Sequence, residues 1–426
     1  MTADTIRSVH AWEALDSRGR PTVGCTVTLA DGSVGRVVVP SGASTGVHEA
    51  VELRDGGERY AGYGVRRAVA SANDVLAPLV VGRRAGERAA LDAELEAADG
   101  TRALERLGAN AVLAVSLAVT VAHAASQREP LWRTLESARR PVIPMPMVNI
   151  LSGGAHAGGA IDLQDFLAIP AGASSFAEAI EWIARVRAAC AVLLEEQGGW
   201  ASLVADEGGL AARLGSNEAA LQLLTAGIER SGLGAERMQI AIDVAASQLA
   251  TPQGTIALAG EKVELTTADW VERLSRWVAT YPIVSIEDPL GEDDWQGWAT
   301  AAGALRGLQV LGDDLFVTDV ERVRHGSALG AANAVLVKVN QAGSVRRAEQ
   351  TVLAADELGL ATVVSARSGD TEDHWLSDLA VGWGGGQIKV GSTMRSERTA
   401  KWNRLLEIES TGELEFAGTR GIAPLG

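Results

Sequence analysis

In the second half of the chain, a series of short apolar runs each ends on a residue that can do chemistry: Asp243 in QIAIDV, Glu287 in PIVSIED, Asp313 in LQVLGDD, Lys338 in AVLVKV, Arg367 just after LATVVSA, and Lys389 in QIKV. From Glu287 onward they recur roughly every 25 residues, about one strand-plus-helix unit, and such a repeat predicts a (β/α) barrel with its active site at the strand C-terminal ends. Singly, each acidic residue could cap a helix or close a turn. Jointly, carboxylates gathered in one pocket repel one another unless a cation lies between them. With oxygen donors only and no His or Cys in the set, that cation is expected to be Mg²⁺ rather than zinc. The lysines sharpen the point. The chain carries 38 Lys+Arg, of which only Lys262, Lys338, Lys389 and Lys401 are lysine. Arginine serves as well as lysine for surface charge but stays protonated, whereas a desolvated lysine near other cations can release its proton and act as a base. Lys338 beside a metal is therefore expected to titrate low. A metal and a neutral amine together can remove a weakly acidic proton next to a carboxylate.

These residues need a scaffold, and the sequence supplies one. A chain of 426 residues that is 47% hydrophobic can bury a large core, as two domains or as a barrel with an appendage. The net charge of −16 opposes nucleic-acid binding, which needs a basic stripe, and suits divalent cations. Cys25 and Cys190 stand far apart in no ligand pattern, and MTADTIRSVH has no apolar signal core, so a reducing cytoplasm is expected. The most apolar stretch, about 109–125, is interrupted by Ser116, Thr120 and His123 and reads as a buried helix rather than a membrane span.

Residues 22–39 alternate β-branched and polar residues around Asp31-Gly32, predicting a β-hairpin. Helical patterns follow at about 64–81, 87–97 and 109–126. A connector with Pro130, Pro141, Pro144 and Pro146 leads to two long helices, the first opened by a capping box of Ser175 and Glu178. The expected organisation is an α+β domain over 1–125, a linker over 126–142 and an α/β barrel over 143–426. His10, His48, His123, His325 and His374 are isolated in sequence and read as structural.

Ordered motifs run through both halves: ALDSRGRPTV, PSGASTGVHEAVELRD, GGAHAG, LQDF, DEGG, DVAAS, SIEDP, GDDL, KVNQ, ARSGDTED and QIKVGSTMRSERTAKWN. In these the chain resembles enolase essentially end to end. The resemblance implies an N-terminal α+β lid domain on a modified (β/α)8 TIM-like barrel, and a homodimer or a multiple of dimers. It also implies a small phosphorylated or phosphonylated carboxylate as substrate, with no nucleic-acid or membrane partner. Lysine or histidine as base with one or two Mg²⁺ ions is the general enolase-superfamily pattern. By resemblance Asp243, Glu287 and Asp313 hold the first Mg²⁺, and Ser44 helps to hold a second, substrate-dependent one. Lys338 takes the α-proton, Lys389 stabilises the substrate carboxylate, and Glu207 protonates the departing hydroxyl. His156 lies on a loop that closes on the substrate, with Asp165 counted beside it among the catalytic residues; Gln164 helps to bind the substrate, and Arg367 with Ser368 hold the phosphate.

Three positions depart from the family. Enolases have Ser-His-Arg-Ser where this chain has SARS, so Ala366 replaces a histidine; Asp165 replaces a glutamate; and the loop after His156 reads AGGAID without the usual asparagine. The changes enlarge one side of the pocket, where the hydroxyl leaves and the phosphate sits. The expected function is therefore that of a specialised paralogue such as carboxyphosphonoenolpyruvate synthase of phosphonate antibiotic biosynthesis. An ordinary phosphopyruvate hydratase, converting 2-phosphoglycerate to phosphoenolpyruvate, and an inactive enolase-like scaffold are the alternatives.

Overall fold

The computed structural model describes residues 2–42, 46–135, 137 and 139–423. The chain opens with a strand the hairpin reading did not include, β1 (Ile6–Leu15), followed by β2 (Pro21–Leu29) and β3 (Val34–Val38) in an antiparallel sheet of that order. β1 is hard to read because only Ile6 and Ala11 along it are buried, which leaves no period-2 alternation. The hairpin turn falls where expected, with the Ser33 amide donating to Asp31 Oδ1 at 2.8 Å and Gly32 at φ 90°. Against β2 and β3 packs the helix Ala109–Gln127. Gly35 permits the close approach, since a Cβ there would lie 2.1 Å from the Ala118 carbonyl oxygen. That helix is long and apolar enough to cross a bilayer, but 78% of its most apolar window is buried inside the protein.

The second half closes into an eight-stranded barrel of β4 (Met145–Ser152), β5 (Asp165–Ile169), β6 (Gln239–Asp243), β9 (Ile283–Glu287), β10 (Gln309–Gly312), β11 (Ala334–Val337), β12 (Ala361–Ser365) and β13 (Gln387–Gly391), with β13 pairing back onto β4. A small hairpin of β7 (Thr255–Leu258) and β8 (Val263–Thr266) stands outside it. Met145, Met147, Leu167, Ile169, Leu311, Ala334, Leu336 and Val363 form a separate buried cluster, the filling of a packed barrel rather than a pore. β5 alone runs antiparallel to both its neighbours. Its link to β4 is a loop with one short 3-10 turn rather than a crossover helix, and parallel pairing needs the longer crossover. As a consequence β5 begins at the mouth where the other strands end, and Asp165 pairs in register with Asp243.

Local sequence positions the rest. Helices Phe176–Glu196 and Asn217–Arg230 span the long connection from β5 to β6. Ser175 Oγ accepts from the Glu178 amide (3.1 Å), but the return half of the capping box is displaced, because Glu178 accepts from the Ser174 amide (2.7 Å) instead of Ser175. Three indoles fasten the loops that leave the mouth: Trp270 donates to the Pro289 carbonyl (2.9 Å), Trp298 to Gly291 (3.0 Å) and Trp402 to Ser392 (3.0 Å). This accounts for part of a tryptophan count of 11 that the sequence leaves unexplained. His48 is not isolated as expected; its Nε2 lies 2.9 Å from Asp293 Oδ1, and His374 Nδ1 lies 3.7 Å from Asp378.

Candidate active site

Asp243 and Glu287 are the last residues of β6 and β9, Asp313 and Lys338 follow directly on β10 and β11, and Lys389 lies within β13. Strand geometry thus turns all five side chains toward one mouth, where each is nearly or fully buried. Lys389 Nζ donates to Asp243 Oδ2 and Glu287 Oε2, both at 2.7 Å, and Lys338 Nζ donates to Asp313 Oδ2. Burial disfavours the Lys338 ammonium, but the Asp313 carboxylate outweighs it and holds the amine above its ordinary value. The low value expected of this amine belongs to the metal-bound site: Asp313 must turn to another cation before Lys338 can act as a base.

On the opposite side the early start of β5 brings in Gln164, Asp165 and His156. Gln164 Nε2 donates to Asp243 Oδ2 (3.1 Å). Asp165 is fully buried, accepting from Asn149 Nδ2 and from Ser152 Oγ (3.1 Å). His156 Nδ1 lies 3.3 Å from Asp165 Oδ2 and its Nε2 3.9 Å from Glu207 Oε1. Burial lowers the imidazole's basicity, but Asp165 and then Glu207 more than offset this and push it up to about 9. A basic group whose folded value lies above its ordinary 6.5 stabilises fully below that pH and loses the contribution as pH rises through about 9. We expect the wild type to lose on the order of 3 kcal/mol across that window relative to His156→Gln, as read by urea unfolding at matched pH values. Parallel pH profiles for the two proteins would contradict this.

The third wall is the segment after β12. Arg367 donates to Glu49 at 2.8 and 3.3 Å and to Asn340 Oδ1 at 3.1 Å. Ser368 Oγ accepts from Arg18 (3.3 Å), and the fully buried Arg398 donates to the carbonyls of Arg367 (2.7 Å), Ser368 (2.6 Å) and Val390 (3.0 Å). Ser41 and Gly369 exchange backbone hydrogen bonds (2.7 and 3.0 Å), so the N-terminal domain is tied to the barrel loop that carries Arg367 and Ser368. One narrow cleft of about 20 Å³ is lined by His156, Gln164, Glu207, Lys338, Ala366, Arg367, Ser368 and Lys389. A larger cavity of about 690 Å³ lies between residues 47–51 and 317–322. It is not bordered by the lysines or the strand-end carboxylates, so the small cleft is the candidate site. Of the residues singled out from sequence, Ser44 lies outside the described residues.

Sequence reasoning missed Glu49, Asp288 and Gln341. Asp288 accepts from the amides of Asp313 (2.9 Å) and Asp314 (2.7 Å), bracing the end of β10. Gln341 Nε2 donates to Asp313 Oδ1 (2.9 Å). The doubled acidic residues of SIEDP and GDDL and the amide of KVNQ were the available signals. The cation question can also be tested. Burial and then the neighbouring Asp243 push Glu287 well above the ordinary carboxylate range, the penalty for assembling like charges. Glu287 Oε1 is buried without a hydrogen-bond partner among the described residues, and ammonium groups already lie against all three carboxylates. An oxygen-only set of this kind fits a hard divalent ion.

Such a fold and site define a closed α/β barrel whose mouth pairs buried lysines with strand-end carboxylates. A family model described as the enolase N-terminal domain matches residues 6–135, and one described as the enolase C-terminal TIM barrel domain matches residues 140–423. The chain belongs to the enolase family. It is an enolase-superfamily lyase; the family in general depends on Mg²⁺ and acts on small phosphorylated carboxylates.

Proposed function

We propose that this enzyme is a specialised enolase paralogue, a carboxyphosphonoenolpyruvate synthase that forms an enolpyruvate-type product from a 2-phosphoglycerate-like carboxylate. The observation that supports this reading best is the composition of the cleft lining. Lys338, Lys389, Glu207, Arg367 and Ser368 line it together, and among them stands Ala366, where enolases carry a ring. In this reading Lys338 Nζ removes the α-proton, Lys389 Nζ faces the substrate carboxylate, and Arg367 with Ser368 orients the phosphoryl or phosphonyl group. Glu207, beside the His156 imidazolium, delivers a proton to the leaving oxygen. Asp243, Glu287 and Asp313 would hold Mg²⁺, which when bound supplies positive charge against the negative charge that develops on the substrate carboxylate. A second Mg²⁺ with Ser44, a cytoplasmic location and a homodimer or multiple of dimers complete the proposal.

Asp165 supports the reshaped pocket. Its carboxylate is held back by Asn149 and Ser152, and it does not line the cleft. The cleft itself has room for about one water, so a larger ligand enters only as lining groups move apart. Purified enzyme with 2-phosphoglycerate and Mg²⁺ is expected to form phosphoenolpyruvate slowly, and to bind Mg²⁺ in calorimetry with micromolar to millimolar affinity. Rapid hydratase turnover would leave an ordinary phosphopyruvate hydratase, and absence of Mg²⁺ binding would leave an inactive scaffold.

A further inference from the structure

A closed circuit of hydrogen bonds begins and ends on Lys338. Its backbone amide donates to Thr318 Oγ1 (2.9 Å), Thr318 Oγ1 donates to Gln341 Oε1 (2.8 Å), Gln341 Nε2 donates to Asp313 Oδ1 (2.9 Å), and Lys338 Nζ donates to Asp313 Oδ2. The directions follow from chemistry. The Asp313 carboxylate can only accept, so Gln341 turns its NH₂ toward Asp313 and its oxygen toward Thr318, whose single hydroxyl proton points to that oxygen while a lone pair accepts from the Lys338 amide. Thr318 and Gln341 are both buried. A second, independent observation concerns the backbone. Val317 and Thr318 have φ of 42° and 54°, a left-handed conformation that β-branched residues rarely adopt. The turn is held there by the Val317 amide donating to the Asp313 carbonyl (2.8 Å) and by Thr351 Oγ1 donating to the Thr318 carbonyl (2.9 Å). Strain of this kind persists where the surroundings over-determine it, and it concentrates at functional sites.

We propose that Thr318 and Gln341 are positioning residues: the strained 317–318 turn aims a hydroxyl that locks the Gln341 amide, and the amide presents Asp313 to its cation at a set angle to the Lys338 amine. The inference deepens the proposed function and rests on Lys338 as the base. It also gives the Thr318 side chain a role at a position where glycine would fit without strain. In addition, the Gln341 carbonyl accepts from the Ala50 amide (2.9 Å), so the N-terminal domain rests on the same residue that orients Asp313.

The test compares Thr318→Val, which removes the hydroxyl at nearly constant shape, with Thr318→Ser, which keeps it. Mg²⁺ affinity is measured by calorimetry without substrate, and exchange of the 2-phosphoglycerate α-proton is followed in D₂O. Thr318→Val is expected to weaken Mg²⁺ binding about tenfold and to slow maximal exchange by about ten- to a hundredfold, with KM little changed. Thr318→Ser should restore both to within about threefold of wild type. Should Thr318→Val fail to fold, Gln341→Met, which loses only the amide, is expected to show the same losses. Wild-type Mg²⁺ affinity and exchange in Thr318→Val or Gln341→Met would overturn the inference, as would a serine variant as impaired as the valine one. Wild-type protein that neither binds Mg²⁺ nor exchanges the proton would instead sink the proposed function, and the inference with it.

Discussion

Lys338→Ala is expected to lower exchange of the substrate α-proton with solvent by about 10³-fold, within the range a positioned general base contributes. The same variant should bind Mg²⁺ at least as tightly as the wild type. Lys338 Nζ donates to Asp313 Oδ2, so the ammonium competes with any cation for that oxygen, and its removal takes away a competitor. The two readouts therefore move apart: chemistry collapses while cation binding holds or strengthens. Exchange in deuterated solvent and calorimetry on the same preparation provide the check. A variant that still exchanges within tenfold of wild type would remove Lys338 from the role of base, and a parallel loss of Mg²⁺ binding would show that the substitution had disordered the mouth.

Ala366→His is expected to raise the conversion of 2-phosphoglycerate to phosphoenolpyruvate by about a hundredfold over the wild type. The size of the effect comes from placement. Loss of a ring and its donor loosens the leaving group, and a misplacement of about an ångström at a reacting centre costs on the order of a hundredfold. Position 366 is suited to the experiment because its backbone is already held: the Ala366 amide donates to the Lys389 carbonyl at 2.9 Å, and its carbonyl accepts from Ser365 Oγ at 3.0 Å. The side chain can then change while the strand end stays put. Formation of phosphoenolpyruvate is read by its ultraviolet absorbance. A histidine variant no faster than the parent would mean that this position does not select the reaction, and the case for a specialised paralogue would fall with it.

Much of the molecule is written in local pattern. The strand repeat from Glu287 to Lys389 reports the barrel because each buried parallel strand must be a short apolar run, and its first polar residue marks where it meets solvent or substrate. The buried helix at 109–127 and the turn at Asp31-Gly32 are likewise legible from composition and spacing. β1 was not, because its burial comes from partners elsewhere in the chain rather than from its own alternation. The reversal of β5 escaped reading for the same reason: strand direction is a property of the connection and of the closed sheet, not of DFLAI itself.

At the site the division is sharper. Residue type and position at the end of an apolar run were sufficient to nominate Asp243, Glu287, Asp313, Lys338 and Lys389, since a carboxylate or an amine at a strand end has few destinations. Which group touches which was decided only in three dimensions. That Lys389 bridges Asp243 and Glu287, that Asp313 accepts from the Lys338 amine, and that Thr318 and Gln341 close a circuit between them all depend on residues tens of positions apart meeting in a low-dielectric mouth. Sequence alone determined the chemical inventory and the barrel that carries it. The pairing of charges, and with it the direction in which each amine titrates, belongs to the tertiary structure, because burial and distance set those energies and neither is a property of any one residue.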